Sequence, residues 1–213
     1  MKEKRNMEVL APFGPRVAKT EIPKNLIDRI NNFIDEVAQN NVLNKLYDHG
    51  KNLAGNVKQE FRLEADFMKD TGWGNFLAKG ITTWVDNTMN KKITKFNILS
   101  SWIVRQFKNE YNPTHFHSGH ISGVGYLKVP KNFGEPYQKD KPNFNGQLQL
   151  IHGSTMFMSK PTFNIKPKVG DFYFFPNYLM HQVFPFIDTD EERRSISFNA
   201  LIDENIYDVY SPD

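Results

Sequence analysis

The sequence predicts a mainly β protein with flanking helices, and two observations carry that expectation. Over the first ninety residues or so the apolar positions recur at three- and four-residue intervals, and from about Ile93 the period changes to two. The second half also breaks into six short runs rich in Ile, Val, Phe and Tyr, separated by Gly, Pro and Asn. Six or more such strands point to a sandwich, jelly roll or barrel with the helices packed outside.

In PKNLIDRINNFIDEVAQNN, Leu26, Ile27, Ile30, Phe33, Ile34 and Val37 share one helical face, and Pro23 stands near the start, where a missing N–H does little harm. A second packing helix is expected over WGNFLAKGITTWVDNTMNKK, with Phe76, Leu77, Ile81, Trp84 and Val85 on one side. The strand-like runs are KFNILSSWIVRQF, HISGVGYLKV, GQLQLIHG, GDFYFFPN, HQVFPFI and RRSISFNALI. Between the second and third of them, KNFGEPYQKDKPNFNG has no period and reads as a long exposed loop placed to cover a site mouth. The expectation is one domain, with a helical lead-in to about residue 92 and a β core over about 93–205.

Composition narrows the function. With 213 residues, 39% of them hydrophobic, the chain is long enough for one well-buried core. A balance of 27 basic and 24 acidic residues gives a net charge of only +3, which does not imply nucleic-acid binding. Cysteine is absent, so any metal must be held by nitrogen and oxygen. No apolar run reaches the roughly 18–20 residues of a membrane span and the N-terminus is charged, so a soluble, cytoplasmic protein is expected.

Chemistry concentrates in HFHSGHISGVGYL, where three of six histidines fall within six residues. Residues two apart on a strand point to one side, so His115 and His117 are placed to chelate one ion. A third ligand must come from elsewhere, and His181, 64 residues beyond His117 and at the start of a strand-like run, is the candidate. His120 breaks the parity of the pair and reads as a supporting or merely exposed group; His152 is placed to face the cavity from a neighbouring strand. In RRSISFNALI, alternation puts Arg193, Ser195, Ser197 and Asn199 on one face and Arg194, Ile196 and Phe198 on the other. A guanidinium forks onto a carboxylate and a hydroxyl completes the pocket, so Arg193 with Ser195 reads as an anion clamp. Arg194 fits a surface position on an edge strand.

The segments NPTHFHSGHISGVGYLKVP, PKVGDFYFFPNYLMHQVFP and RRSISFN, in this order, resemble the iron(II)- and 2-oxoglutarate-dependent oxygenases, in a branch distantly related to prolyl 4-hydroxylases. The resemblance covers roughly residues 100–200. It implies a double-stranded β-helix, the cupin-like jelly roll, around one iron(II). His115 would be the first ligand and His181 the distal one. Arg193 and Ser195 would hold the far carboxylate of 2-oxoglutarate, with Tyr126 nearby, while Gly170, Asp171, Phe175 and Pro176 match the turn and strand ahead of the distal histidine. The activity so implied is hydroxylation of a C–H bond in a small-molecule or peptide substrate, of which a peptidyl or free amino acid is one class, with O2 consumed and succinate and CO2 released.

One departure stands out. The wider superfamily uses His-x-Asp or His-x-Glu plus a distal His, and here no carboxylate occurs between Glu110 and Glu135. Either His117 takes the carboxylate's place or the metal keeps an open position; a register on His117-Ser118-Gly119, similar to halogenating relatives, would strand His115. Two further readings stand beside the first. One is a cupin-like three-histidine dioxygenase that needs no 2-oxoglutarate, and the other is a non-catalytic metal-binding β-helix domain.

Overall fold

The computed structural model describes residues 14–136 and 138–210. The described residues form ten strands and five α-helices. Strand β1 (Ala18–Glu21) precedes the helices α1 (Lys24–Gln39) and α2 (Asn41–Tyr47), and β2 (Gln59–Arg62) separates these from α3 (Ala65–Thr71) and α4 (Trp73–Met89). Then follow β3 (Phe96–Gln106), β4 (Asn112–His115), β5 (Ile121–Lys128), β6 (Leu148–Ile151), β7 (Thr162–Ile165), β8 (Asp171–Pro176), β9 (Met180–Val183) and β10 (Arg193–Ile202), with a last turn of helix, α5 (Glu204–Tyr207).

The strands form two antiparallel sheets. The larger has the order β1-β8-β5-β10-β3-β2 and the smaller β4-β9-β6-β7. Helices cover the outer face of the large sheet and the small sheet faces its inner side, which is the double-stranded β-helix with N-terminal helices outside that the sequence predicts. Period-two alternation sorts the side chains. On β8, Phe172 and Phe174 join the helix-side core, and Tyr173 and Phe175 the core between the sheets. On β10, Ile196 and Phe198 face the helices.

The helix-side core takes Leu26, Ile27, Ile30, Ile34 and Val37 from α1 and Trp73, Leu77, Ile81 and Val85 from α4. Both expected helices therefore form with the expected buried faces. Glycine explains how helix and sheet approach so closely. On β5 a methyl at Gly125 would lie 2.4 Å from the Phe172 ring, so the glycines of SGVGYL are the sockets for large outward rings.

Three features differ from the sequence reading. The lead-in is not wholly helical: β1 and β2 are the two edge strands of the large sheet, and four residues each are too few to show a period. Arg194 is not at the surface, because β10 lies between β5 and β3. It is fully buried and bonded to Asp35, Glu192 and Asn31, tying α1 to the sheet. The segment from Lys131 to Asn145 has neither helix nor strand among its described residues. It is pinned by Phe133, edge-on to Phe186 at 5.5 Å, and none of its described residues lines the histidine cavity.

A sharp test of the helix-to-sheet contact is Gly80 on α4. Alanine is the better helix former by about 1 kcal/mol. Its methyl would sit 2.5 Å from Cζ of the buried Phe174, an overpacking that costs about 1–3 kcal/mol. Gly80→Ala is expected to lower the urea midpoint at unchanged m; a rise would mean that α4 rides above the sheet without contact.

Candidate metal centre

The centre is built on a single register. His115 at the end of β4 is paired with His181 on β9, and His181 with Leu150 on β6, so the row places two imidazoles side by side on the inner face of the small sheet. His117 lies just beyond β4 and does not share its strand with His115, as the spacing alone would have it. Its backbone is held by Asn177, whose carbonyl accepts from the His117 N–H and whose Nδ2 donates to the His117 carbonyl, each at 3.1 Å. The segment around the turn thereby swings the third ring inward.

The three rings converge, with centroids 4.3–4.9 Å apart. Their candidate donor atoms all lie within 4.8 Å of one another, and among the described residues no other group of three His, Asp or Glu does this. Nδ1 of His115 donates to the Pro113 carbonyl at 2.6 Å, and Nδ1 of His181 to the Leu179 carbonyl at 2.8 Å. A carbonyl only accepts, so the proton sits on Nδ1 and Nε2 keeps its lone pair for a cation. Nε2 of His181 is 3.2 Å from Nε2 of His117. Burial lowers the pKa of all three, to about 3 for His117 and about 4 for His181, where the neighbouring imidazoles add to the effect. The centre is therefore neutral and unprotonated near pH 7, the state in which imidazole binds first-row metals.

Opposite the histidines, the inner face of the large sheet closes a cavity of about 40 Å³, lined there by Trp102, Val104, Val124, Phe175, Arg193, Ser195 and Ser197. Arg193 is 1% exposed. Its Nη1 donates to Gln106 Oε1 at 3.0 Å, and its guanidinium lies 5.0 Å from the centroid of the Tyr126 ring. Nε and Nη2 have no hydrogen-bond partner among the described residues, and neither has the Tyr126 hydroxyl, which feels the guanidinium's charge without a well-formed bond to it.

The structure spreads the remaining sequence candidates. Ser195 lies on the cavity wall beside Arg193, and Asn199 further along β10 accepts from Ser122 at 2.8 Å. His120 is stacked on Tyr207 at 3.9 Å and accepts from the Ile202 N–H, on the C-terminal side of the core. His152 is exposed in the turn after β6. Three buried polar residues were not singled out from sequence. Asn177 and Gln106 carry no pattern that distinguishes them from other amides. Glu60 is the third: it is 1% exposed on an edge strand, and both its oxygens lack a partner among the described residues.

Burial, with Asp48 and Glu110 adding repulsion, raises the Glu60 pKa to about 7. Between the ordinary value near 4.5 and about 7 the folded chain holds a proton that the unfolded chain releases, so this group's contribution to stability is lost as pH rises through that window. In metal-free protein, Glu60→Gln is expected to gain on the parent by up to about 1.4 kcal/mol per pH unit across it. Urea midpoints of both chains at pH 5 and pH 7 measure this, and a gap that does not change with pH would show Glu60 ionised at its ordinary value.

Comparison with known proteins agrees with this architecture. Residues 100–199 match the family model described as "Putative 2OG-Fe(II) oxygenase". Among solved structures, a prolyl hydroxylase from Trichoplax adhaerens, in complex with a hypoxia inducible factor oxygen degradation domain peptide fragment, is similar at 13% identity and a TM-score of 0.57, over 92% of this chain and 87% of that one. The viral collagen prolyl hydroxylase of Paramecium Bursaria Chlorella virus-1 is 12% identical with a TM-score of 0.54, over 86% and 94% of the two chains. A Pseudomonas putida prolyl-4-hydroxylase is 12% identical with a TM-score of 0.53, over 86% and 91%. No curated protein matches the chain by sequence.

The ligand set corrects the expected activity. Hydroxylation dependent on 2-oxoglutarate is expected of two histidines and one carboxylate, and this centre has three histidines with no carboxylate among them. The 2-oxoglutarate-dependent hydroxylase reading falls on that observation, and the cupin-like alternative accounts for the centre better. The chain thus has the fold of these prolyl hydroxylases and matches the 2OG-Fe(II) oxygenase model over residues 100–199, with a three-histidine cluster where a facial triad is expected.

Proposed function

We propose that the protein is a cupin-like, three-histidine metal dioxygenase that works without 2-oxoglutarate, with iron(II) as the metal. The observation that carries this reading is the convergence of three neutral imidazoles, with no carboxylate, on one point in a small cavity. Bound there, a redox-active metal supplies the means to join O2 to an organic substrate. When both oxygen atoms end in the product, the substrate furnishes all the electrons and no second donor is needed.

The chain's own residues have three tasks in this scheme. His115, His117 and His181 hold the ion, and the carbonyls of Pro113 and Leu179 fix two of the rings by their Nδ1 protons. Trp102 and Phe175 pack edge-on against His117 and His181, at 5.5 and 5.1 Å, and keep bulk water from the reacting atoms. Arg193, with Ser195 and Tyr126 beside it, binds an anionic group of the substrate itself. A buried guanidinium with two unpartnered donor nitrogens is costly until an anion completes it.

Anaerobic iron(II) titration is the direct test. One iron per chain is expected in the parent, with binding lost or weakened at least tenfold in His117→Ala and His181→Ala. Nitric oxide, standing in for O2, is expected to give the electron-spin signal of an iron with an open position. Adding 2-oxoglutarate is expected to produce no visible chelate band. A strong band that depends on Arg193, or oxygen uptake that requires 2-oxoglutarate and releases succinate, overturns the proposal.

A further inference from the structure

His115 and His181 each have a ring nitrogen tied to a carbonyl two residues back, but among the described residues no hydrogen bond reaches Nδ1 of His117. The aim of the third imidazole therefore rests on where its backbone is held. That task falls to Asn177, buried in the turn between β8 and β9 and bonded at all four of its polar atoms. Its carbonyl accepts from the His117 N–H and its Nδ2 donates to the His117 carbonyl, while its own N–H donates to the carbonyl of His120, each at 3.1 Å. Its Oδ1 accepts from the hydroxyl of Tyr207, on α5, at 3.2 Å.

An amide holds a carbonyl only with its nitrogen side; turned over, it would set oxygen against oxygen. The phenol donates to the far side of this amide and leaves Nδ2 facing His117. Tyr207 is itself fixed from two directions. Its ring stacks on the imidazole of His120, with centroids 3.9 Å apart and planes within 9°. Next to it Ile206 is buried in the helix-side core, and Asp203, ahead of α5, accepts from the N–H groups of Thr94 and Lys95 at 2.8 and 2.9 Å. The turn that carries His117 is pressed against the same wall: the His120 N–H donates to the Ala200 carbonyl at 2.8 Å, and a methyl on Gly119 would lie 2.9 Å from that oxygen. Packing on His120 asks only for a ring. The hydroxyl makes one bond among the described residues, and it goes to Asn177.

From this chain of contacts we infer that Tyr207 is a positioning residue for the metal centre. Its hydroxyl holds the Asn177 amide and the amide holds the backbone of His117, so the last helical turn contributes to metal affinity and geometry without touching the ion. Tyr207 lines no part of the histidine cavity, and its effect passes wholly through Asn177. The inference rests on the three-histidine metal site proposed above.

Cobalt(II) titration of the metal-free, full-length chain, followed through the visible d–d band, tests this. The parent is expected to bind one cobalt per chain. Tyr207→Phe keeps the ring on His120 and removes the hydroxyl; it is expected to bind cobalt about tenfold more weakly, the low end for groups that support a ligand from behind, with the band changed in position and intensity. Ile206→Val loosens α5 in the core and keeps the hydroxyl, and is expected to match the parent in both readouts. Both changes are conservative, and thermal unfolding of the metal-free samples is expected to give transitions close to the parent's. A Tyr207→Phe chain with the parent's affinity and band overturns the inference and leaves the metal site standing. So does an equal loss in Ile206→Val, which would make the effect a general loosening of α5. If the parent binds no cobalt, the three-histidine site fails and the inference falls with it.

Discussion

The pairing of His115 with His181 across β4 and β9 is the contact on which the rest of the site depends. A one-residue slip in that register would put the two rings on opposite faces of the small sheet. What holds the register lies outside the site. β9 is flanked on its other side by β6, through Leu148 against Val183 and Leu150 against His181, and those leucines are buried in the core between the sheets. The metal position is thus set by apolar packing one strand away, and His117 is then aimed by the amide of Asn177.

Charge in the pocket is distributed by the same logic of faces. The small sheet presents three neutral imidazoles, which leave a bound divalent ion its full charge. Across the gap, Arg193 adds a second positive centre, so the space between the sheets attracts anions strongly. Glu60 sits at the far edge of the large sheet, two strands from β10, and opposes that field only locally. Arg193 can afford to be buried because Gln106 and the Tyr126 ring hold it. The partners it lacks are those a ligand would bring.

Much of this was legible in the sequence, for physical reasons. Long amphipathic helices and two-period strands announce themselves, as α1, α4, β5, β8 and β10 do, and a run such as RRSISFN states which residues share a face. Short edge strands do not: AKTE and QEFR contain too few alternations to be seen, and β2 is the strand that carries Glu60. Burial of single polar residues was equally hidden. Arg193 and Arg194 are neighbours of one type, and only the position of β10 between β5 and β3 shows that both are buried, one toward the cavity and one toward α1.

The two arginines also show what distinguishes a structural charge from a functional one. Arg194 spends its donors on Asp35, Glu192 and Asn31, and Glu192 is shared with Arg105, so the network is closed and supports the fold. Arg193 is as deeply buried but leaves two donors free, and Glu60 leaves two acceptors free. Such groups cost stability in the empty protein, typically about 1–3 kcal/mol each and more for charged groups. For Arg193 that cost is recovered when an anion binds only the folded chain.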